Sequence, residues 1–272
     1  MPCRRTTETP ASQLMNFQSL QFDFYPIAMA MVIFAIAAIY SAIGQGGGTG
    51  YLAVMAVGGL TPVEMRPTAL ALNILVSALA GWKFARAGRF SSSVFWPTVL
   101  AGAPCAMIGS WIDLPPRVYQ TMVGIVLFYA AERLFKSSGL IKQSETTDVV
   151  HPNILYLSMT GALIGLISGL TGIGGGIFLS PVLVLGGWVS ARNAAGTSAL
   201  FTLANSIVGM AVVSSRAGSL PGGLWIWLVS AGLGAWIGSG IGIHGLSERA
   251  ARRLLALVLC LAAMRSLWAV LN

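Results

Sequence analysis

The chain has 272 residues, of which 56% are hydrophobic and 9% are charged. Globular domains carry roughly 25% charged residues to cover their surface, so this composition excludes a water-soluble enzyme, a nucleic-acid binder and a disordered tail. The net charge of +8, from 16 basic and 8 acidic residues, is typical of a membrane protein whose cytoplasmic loops collect Lys and Arg. We therefore expect the lipid bilayer as a partner, and no nucleic acid.

Apolar stretches, taken in chain order, predict ten membrane segments. A hydrocarbon core about 30 Å thick needs about 20 helical residues, so eight of these segments are long enough, or nearly so, to cross it. The two others would reach only about 17 to 20 Å at 1.5 Å per residue, which predicts half-helices. The long segments are 26–43, 67–84, 93–112, 117–134, 153–171, 194–214, 222–244 and 249–271, and the short ones are 50–60 and 176–188.

Three short sequences in the first half of the chain recur in the second half in the same order. Their offsets are 128, 129 and 130 residues, so the spacing between them is nearly the same in both halves. Such a repeat is typical of transporters built from two copies of one helical bundle around a central site. The matched pairs are 44–48 (GQGGG) with 172–176 (GIGGG), 67–70 (PTAL) with 196–199 (GTSA), and 86–88 (RAG) with 216–218 (RAG).

The repeat divides the chain into a polar N-terminal segment (1–25), a first repeat (26–134), a polar linker (135–152) and a second repeat (153–272). The N-terminal segment lacks the apolar core and cleavage site of a secretory signal, so no cleaved signal is expected. If the short segments enter and leave on one side, the repeats are parallel, whereas if every segment crosses they are inverted. The distribution of basic residues does not separate these alternatives, although both place residues 83–89 and the linker in the cytoplasm.

The two glycine runs interrupt apolar segments at membrane depth. Broken backbone there must face protein or a water-filled cavity, because lipid cannot hydrogen-bond its amide and carbonyl groups. If the short segment after each run starts a helix, its free N–H groups and positive dipole end form an anion site without a charged side chain. The alternative is that the glycines only allow close helix packing. The predicted binding residues are Gly46, Gly47, Gly48, Thr49, Gly174, Gly175 and Gly176.

Small polar side chains that follow each glycine run are further candidates for substrate binding. Ser198, Thr202 and Asn205 recur at intervals of four and seven residues, so they share one face of a helix. These side chains are predicted to line a pore, and the alternative is that they make interhelical hydrogen bonds worth about 0.6 kcal/mol each. The predicted binding residues in this group are Thr68, Asn73, Thr197, Ser198 and Asn205.

Acidic residues are absent from the middle of the predicted spans, and the catalytic motifs considered are absent from the sequence. No Asp or Glu falls in the middle of a predicted span, so a buried carboxylate relay for protons or cations is not expected. The sequence contains no HExxH motif, no GxSxG motif and no paired aspartates within its spans, so catalysis is not expected either. We expect neither a cofactor nor a metal ion.

At these residues the chain resembles the sulfite exporter TauE/SafE family of bacterial membrane permeases. The likeness covers about residues 26–271 and rests on the two related halves, the glycine run near the start of each, and the Gly-Thr-Ser step at 196–198 with a following Asn. In the first half, Gln45 stands where the family has an apolar residue, and residues 67–69 (PTA) stand in place of Gly-Thr-Ser. The resemblance implies export or uptake of small sulfur oxyanions, or of sulfonated or carboxylated organic anions, across the cytoplasmic membrane.

The sequence as a whole predicts an all-α polytopic membrane protein of two homologous halves with Gly-rich broken helices. Eight full spans and two short segments are expected, or up to ten spans if the short segments also cross. The expected function is secondary transport of a small oxyanion, such as sulfite or an organosulfonate, across the inner membrane by alternating access around a midplane site. A passive anion channel and a non-transporting membrane assembly subunit are the alternatives. A homo-oligomer is compatible with both the transporter and the channel.

Overall fold

The computed structural model describes residues 27–137, 153–215, 221, 223–244, 260 and 264. Secondary structure within these residues is entirely helical. The helices are α1 (Ile27–Ala42), α2 (Gly48–Val57), α3 (Pro62–Arg86), α4 (Ser92–Trp111), α5 (Pro116–Ser137), α6 (Ile154–Thr171), α7 (Gly176–Leu185), α8 (Ala191–Val213) and α9 (Leu224–His244). The predicted N-terminal segment, most of the linker, the repeat at 216–218 and nearly all of the span at 249–271 lie outside the described residues.

Five of the described helices, α3, α4, α6, α8 and α9, are long and apolar enough to cross a bilayer. Large apolar side chains on their outer faces are exposed, among them Leu100, Leu163 and Leu233. Exposed apolar surface on this scale is expected where lipid, not water, surrounds the protein. The structure therefore confirms an all-helical, multi-pass membrane protein.

Helix α3 begins five residues earlier than the predicted span. Thr61 and Glu64 form a capping box, in which the Glu64 carboxylate accepts hydrogen bonds from both the backbone N–H and the hydroxyl of Thr61. Pro62 occupies the first helical position, where its missing N–H costs nothing. Because of this early start, Arg66 lies on the helix and is buried, whereas the hydropathy pattern places it in a loop.

Helix α6 packs along α4, and both helices run in the same direction. Glycines four residues apart on α6 contact the α4 backbone at three successive levels, so the helices approach without side chains between them. The contacting pairs are Gly161 with Thr98, Gly165 with Gly102, and Gly169 with Ala106. Helix α1 packs along α9 in the same way, through Gly234 with Phe34, Gly238 with Ala38, and Gly242 with Ala42.

Contacts among the remaining long helices fix their relative directions. Helices α4 and α8 are parallel, α3 and α9 are parallel, and α3 and α8 are antiparallel. The contacts are Gly102 with Phe201 and Ser110 with Gly209 for α4 and α8, Leu75 with Gly232 and Lys83 with Gly240 for α3 and α9, and Leu70 with Gly209 and Gly81 with Leu200 for α3 and α8. Consequently α1 runs antiparallel to α6, its counterpart in the sequence repeat, and the two halves are inverted. Helix α1 of the first half therefore packs on α9 of the second, and α6 of the second half packs on α4 of the first.

Candidate functional site

Each glycine run follows the end of one helix and leads into the start of the next. Helix α1 ends at Ala42 and α2 begins at Gly48, while α6 ends at Thr171 and α7 begins at Gly176. The residues before α2 and α7, Gly47 and Gly175, have φ angles of 92° and 87°. This left-handed conformation is open to glycine and strained for other residues, so glycine is required at both positions.

Neither new helix is capped by a side chain, so its first N–H groups are available to a ligand. In α2 the first backbone hydrogen bond runs from the Tyr51 N–H to Gly47 O at 3.0 Å, and in α7 it runs from the Phe178 N–H to Gly175 O at 3.1 Å. The N–H groups of the preceding helical residues have no intrahelical partner. Together with the helix dipoles, they give each break a positive electrostatic potential.

A small cavity lies between the two breaks and is lined by residues of both. It has room for roughly one water molecule. No charged side chain lines it, so its polarity comes from backbone amides, hydroxyl groups and one amide side chain. The lining residues are Tyr40, Gln45, Gly46, Gly47, Gly48, Thr49, Ile173, Gly176, Ile177 and Thr202.

Asn73 on α3 ties the first half to the break of the second. Its side-chain nitrogen donates hydrogen bonds to Gly172 O at 3.3 Å and to Ile173 O at 3.0 Å. Because both partners are carbonyl oxygens, which only accept, these bonds fix the orientation of the amide. Its Oδ1 then lies beside Gly46, where a Cβ would come within 2.9 Å of it.

Buried polar atoms without a hydrogen-bond partner are concentrated around the cavity. Native interiors rarely leave such atoms unsatisfied, and each needs an explanation such as a ligand or ordered water. Gln45, 6% exposed, and Thr202, 1% exposed, both line the cavity and both carry an oxygen of this kind. Further unpartnered oxygens behind the cavity wall, within the described residues, are Asn73 Oδ1, Ser77 Oγ, Ser198 Oγ and Ser206 Oγ.

The predicted binding residues occupy three different environments. Gly46, Gly47, Gly48, Thr49 and Gly176 line the cavity, and Thr49 shares a 2.8 Å hydrogen bond with the Tyr40 hydroxyl. Gly174, Gly175, Thr68, Ser198 and Asn205 are buried around it without lining it. Thr197 lies at the start of α8, where its hydroxyl accepts a hydrogen bond from the Ser91 N–H at 3.1 Å.

Inspection of the motifs misses several side chains at the site: Tyr40, Gln45, Ser77 and Ser206. The repeat offset of 129 residues pairs Asn73 with Thr202 and Ser77 with Ser206. The structure follows this pairing, since a Cβ on Gly46 would contact Asn73, Ser77 and Thr202. A Cβ on Gly174 would contact Thr202, Ser206 and Asn73. Continuing the offset along α3 and α8 therefore finds these residues without a motif.

Arg66 forms a second polar link between the halves. Its guanidinium donates to Gly109 O at 3.1 Å and to Gly169 O at 2.5 Å, which lie in the last turns of α4 and α6. The negative dipole ends of these two helices offset its charge. Nearby, the Tyr119 hydroxyl donates to Thr171 O at 3.0 Å. Arg66, Tyr119 and Asn73 thus hold the end of α6 and the break that follows it.

We expect Asn73→Asp to destabilise the contact between α3 and the second break. The change keeps the shape of the side chain, but it replaces a donor to Gly172 O and Ile173 O with a negatively charged acceptor, which repels both carbonyl groups. Thermal unfolding in detergent measures the effect, which should be a loss of about 1–3 kcal/mol. Asn193→Asp, in the first turn of α8, is the matched control and should unfold like the wild type, because a carboxylate is favourable there.

Comparison with known proteins gives one family and one curated relative. The family model described as "Sulfite exporter TauE/SafE" matches residues 29–266. The "Probable membrane transporter protein y4hK" of Sinorhizobium fredii is 36% identical over 250 residues, which cover 90% of this chain and 100% of that relative. No solved structure matches the chain. The matches extend from α1 through the second half, and so include both breaks.

Proposed function

We propose a cargo and a mechanism for this chain, which belongs to the sulfite exporter TauE/SafE family and is a multi-pass membrane transporter. The cargo is a small oxyanion, such as sulfite or an organosulfonate, and its binding site lies between the two glycine breaks. Transport is secondary and crosses the cytoplasmic, or inner, membrane. We propose that the protein is oriented with residues 83–89, three of which are basic, on the cytoplasmic side of the membrane.

The observation that carries this proposal is the meeting of two uncapped helix N-termini at one buried cavity. Each N-terminus contributes the equivalent of about half a positive charge, together with N–H groups that point at the ligand. The backbone of residues 46–49 and 174–177 supplies these donors. Thr49 and Thr202 add hydroxyl groups from the cavity wall.

The inverted arrangement of the halves supports alternating access. Inverted repeats give a transporter two related conformations, in which one half rocks against the other around a shared site. We propose that residues 26–134 and 153–272 are these moving halves, and that a cavity with room for only about one water molecule belongs to a conformation in which the pathway is closed. Thr68, Thr197, Ser198 and Asn205 then line the pathway once the halves separate.

Counterflow in proteoliposomes tests the proposal. Vesicles that contain the purified protein and a high internal concentration of unlabelled sulfite should accumulate external labelled sulfite transiently and saturably. A passive channel would show flux without saturation or acceleration by internal sulfite. An assembly subunit would show neither flux nor binding, and either result would overturn the proposed transport mechanism.

We expect Gly47→Ala to preserve folding and to lose anion binding. An Ala at φ 92° is strained by about 1–2 kcal/mol, and its Cβ would lie 2.8 Å from the Tyr51 ring, which shifts the start of α2. Gly59→Ala provides the same backbone strain, since Gly59 has φ 80° and no atom lies within 4 Å of its new Cβ. Thermal unfolding and sulfite binding are measured on both variants. If Gly47→Ala binds sulfite as Gly59→Ala does, the break does not form the site.

A further inference from the structure

We infer that the transported species is a protonated monoanion, such as hydrogensulfite, and not a dianion. This inference rests on the proposed function and specifies which ionic form of the cargo the cavity accepts. Two independent features support it: the amount of positive charge at the cavity, and the unpartnered hydrogen-bond acceptors around it.

The charge available at the cavity matches one negative charge. Two helix N-termini, at about half a unit each, supply about one unit of positive charge in total. No Lys or Arg side chain lines the cavity. A dianion would therefore bring one charge that nothing in the cavity offsets, and an unpaired charge is costly in a low-dielectric interior.

Other charged and titratable groups do not change this balance. Arg66 is the buried cation on α3, but its guanidinium donates to the carbonyl ends of α4 and α6, which offset its charge. The described carboxylates, Glu64, Asp113 and Glu132, are exposed or half-buried and do not line the cavity. Further groups on the surrounding helices include Tyr40 on α1, which lines the cavity, and Tyr51 on α2, Lys83 and Arg86 on α3, Tyr119 on α5 and Arg192 on α8, which do not.

The acceptors around the cavity favour a ligand that also donates. Gln45 brings an amide into the cavity wall and has a buried oxygen without a partner. Asn73 Oδ1 lies behind Gly46 as a second unpartnered acceptor, in an orientation that two carbonyl groups fix. A fully deprotonated oxyanion has only acceptors, so it leaves these oxygens unsatisfied. A protonated oxyanion has a hydroxyl group that can donate to one of them.

We therefore assign Gln45 to recognition of the hydroxyl group of the protonated anion. Its counterpart in the second break is Ile173, which also lines the cavity. At this position the wall of the cavity is therefore polar on the side of the first break and apolar on the side of the second. An ion with a hydroxyl group on one side binds in one orientation, with that group towards Gln45.

Uptake of three anions by wild-type proteoliposomes across a pH series tests the inference. The probes are sulfite, which takes up a proton near neutral pH, sulfate, which is a dianion throughout, and methanesulfonate, which is a monoanion without a donor. We expect the apparent KM for total sulfite to rise about tenfold per pH unit above the pKa of hydrogensulfite, since only the protonated form binds. The KM for methanesulfonate should stay constant, and sulfate should not compete.

The outcomes separate failure of this inference from failure of the proposed function. Saturable uptake of sulfite with a pH-independent KM, or equal competition by sulfate, overturns the inference and leaves anion transport intact. If none of the three anions is taken up or bound, the proposed function itself fails. The wild-type series needs no variant, so its result does not depend on the folding of a mutant.

Gln45→Leu provides a second, independent test. Loss of one hydrogen bond should raise the KM for sulfite about 3- to 10-fold, while the KM for methanesulfonate changes less than about twofold. Gln120→Leu, the same substitution at a half-buried residue of α5 that does not line the cavity, is the matched control and should change neither value. An equal rise for both anions in Gln45→Leu would show that Gln45 does not recognise the proton.

Discussion

Gly48→Ala is expected to abolish transport and to lower the free energy of unfolding by about 3 kcal/mol, the upper end for overpacking in a protein interior. A Cβ at this position would overlap Ile173 O and lie 2.6 Å from Asn73 Nδ2. Ile173 O is a backbone atom of the opposite break, so the clash is relieved only if the two halves separate. Thermal unfolding in detergent and sulfite uptake in liposomes measure the two effects.

Gly240→Ala is the matched control for this prediction. Gly240 also lies within a helix, on α9, and the nearest atom to its new Cβ is the flexible Lys83 Nζ at 3.7 Å. Ala favours the helix more than Gly by about 1 kcal/mol, so this variant should be at least as stable as the wild type and fully active. Normal uptake by Gly48→Ala would show that the two breaks do not approach as the structure places them.

Arg66→Met is expected to destabilise the protein by about 2–6 kcal/mol, because it removes the donor from two buried carbonyl groups, at about 1–3 kcal/mol each. The guanidinium hydrogen bonds to Gly109 O and Gly169 O are lost, and both carbonyl groups stay buried at the ends of α4 and α6. Since Gly169 precedes the second break by only a few residues, transport should fall together with stability. Arg66→Lys keeps the charge but not the planar fork, so it should recover part of the loss.

Arg86→Ala is the corresponding control on the same helix. Arg86 lies at the exposed end of α3, with its guanidinium 4.8 Å from the centre of the Trp82 ring. An exposed cation–π contact is worth about 0.5–1 kcal/mol, so the free energy of unfolding should change by no more than that. If Arg66→Met is as stable as Arg86→Ala, the link between α3 and the end of α6 does not stabilise the fold.

The positions of the helices could be predicted well from the sequence, because an apolar stretch of fixed length has few alternatives in a bilayer. The predicted spans 93–112 and 153–171 each differ by one residue at their starts from α4 and α6. The start of α3 was less predictable. Hydropathy responds to Glu64 and Arg66 as charged residues, whereas the helix start is determined by the capping box and by the burial of Arg66 against two helix ends.

The relative direction of the two halves could not be predicted from the sequence, because it is shown only by contacts between helices that are distant in the sequence. Basic residues in loops report only the side of the membrane, and the two alternatives differ by the path of two short segments. The glycines that settle the direction, such as Gly165 and Gly238, look alike in sequence whether their partner helix is parallel or antiparallel. Their partners, α4 and α9, belong to the opposite halves.

The candidate site could be predicted in its backbone and only partly in its side chains. The repeated glycine runs located the cavity wall at Gly46, Gly47, Gly48, Thr49 and Gly176. The Gly-Thr-Ser step predicts a binding role for Thr197, which lies outside the cavity wall and whose hydroxyl accepts a hydrogen bond from the Ser91 N–H. A motif does not show which face of a helix points inward, and here the inward face of α8 carries Thr202 and Ser206.

An experimental map of the protein with bound selenite, a heavier and more electron-rich analogue of sulfite, tests the central claim most directly. We predict density for one selenite between residues 46–49 and 174–177, within hydrogen-bonding distance of backbone N–H groups of both α2 and α7. Density for selenite only at surface Lys and Arg residues, with the space between the two breaks unoccupied in a protein that still transports sulfite, would contradict the account.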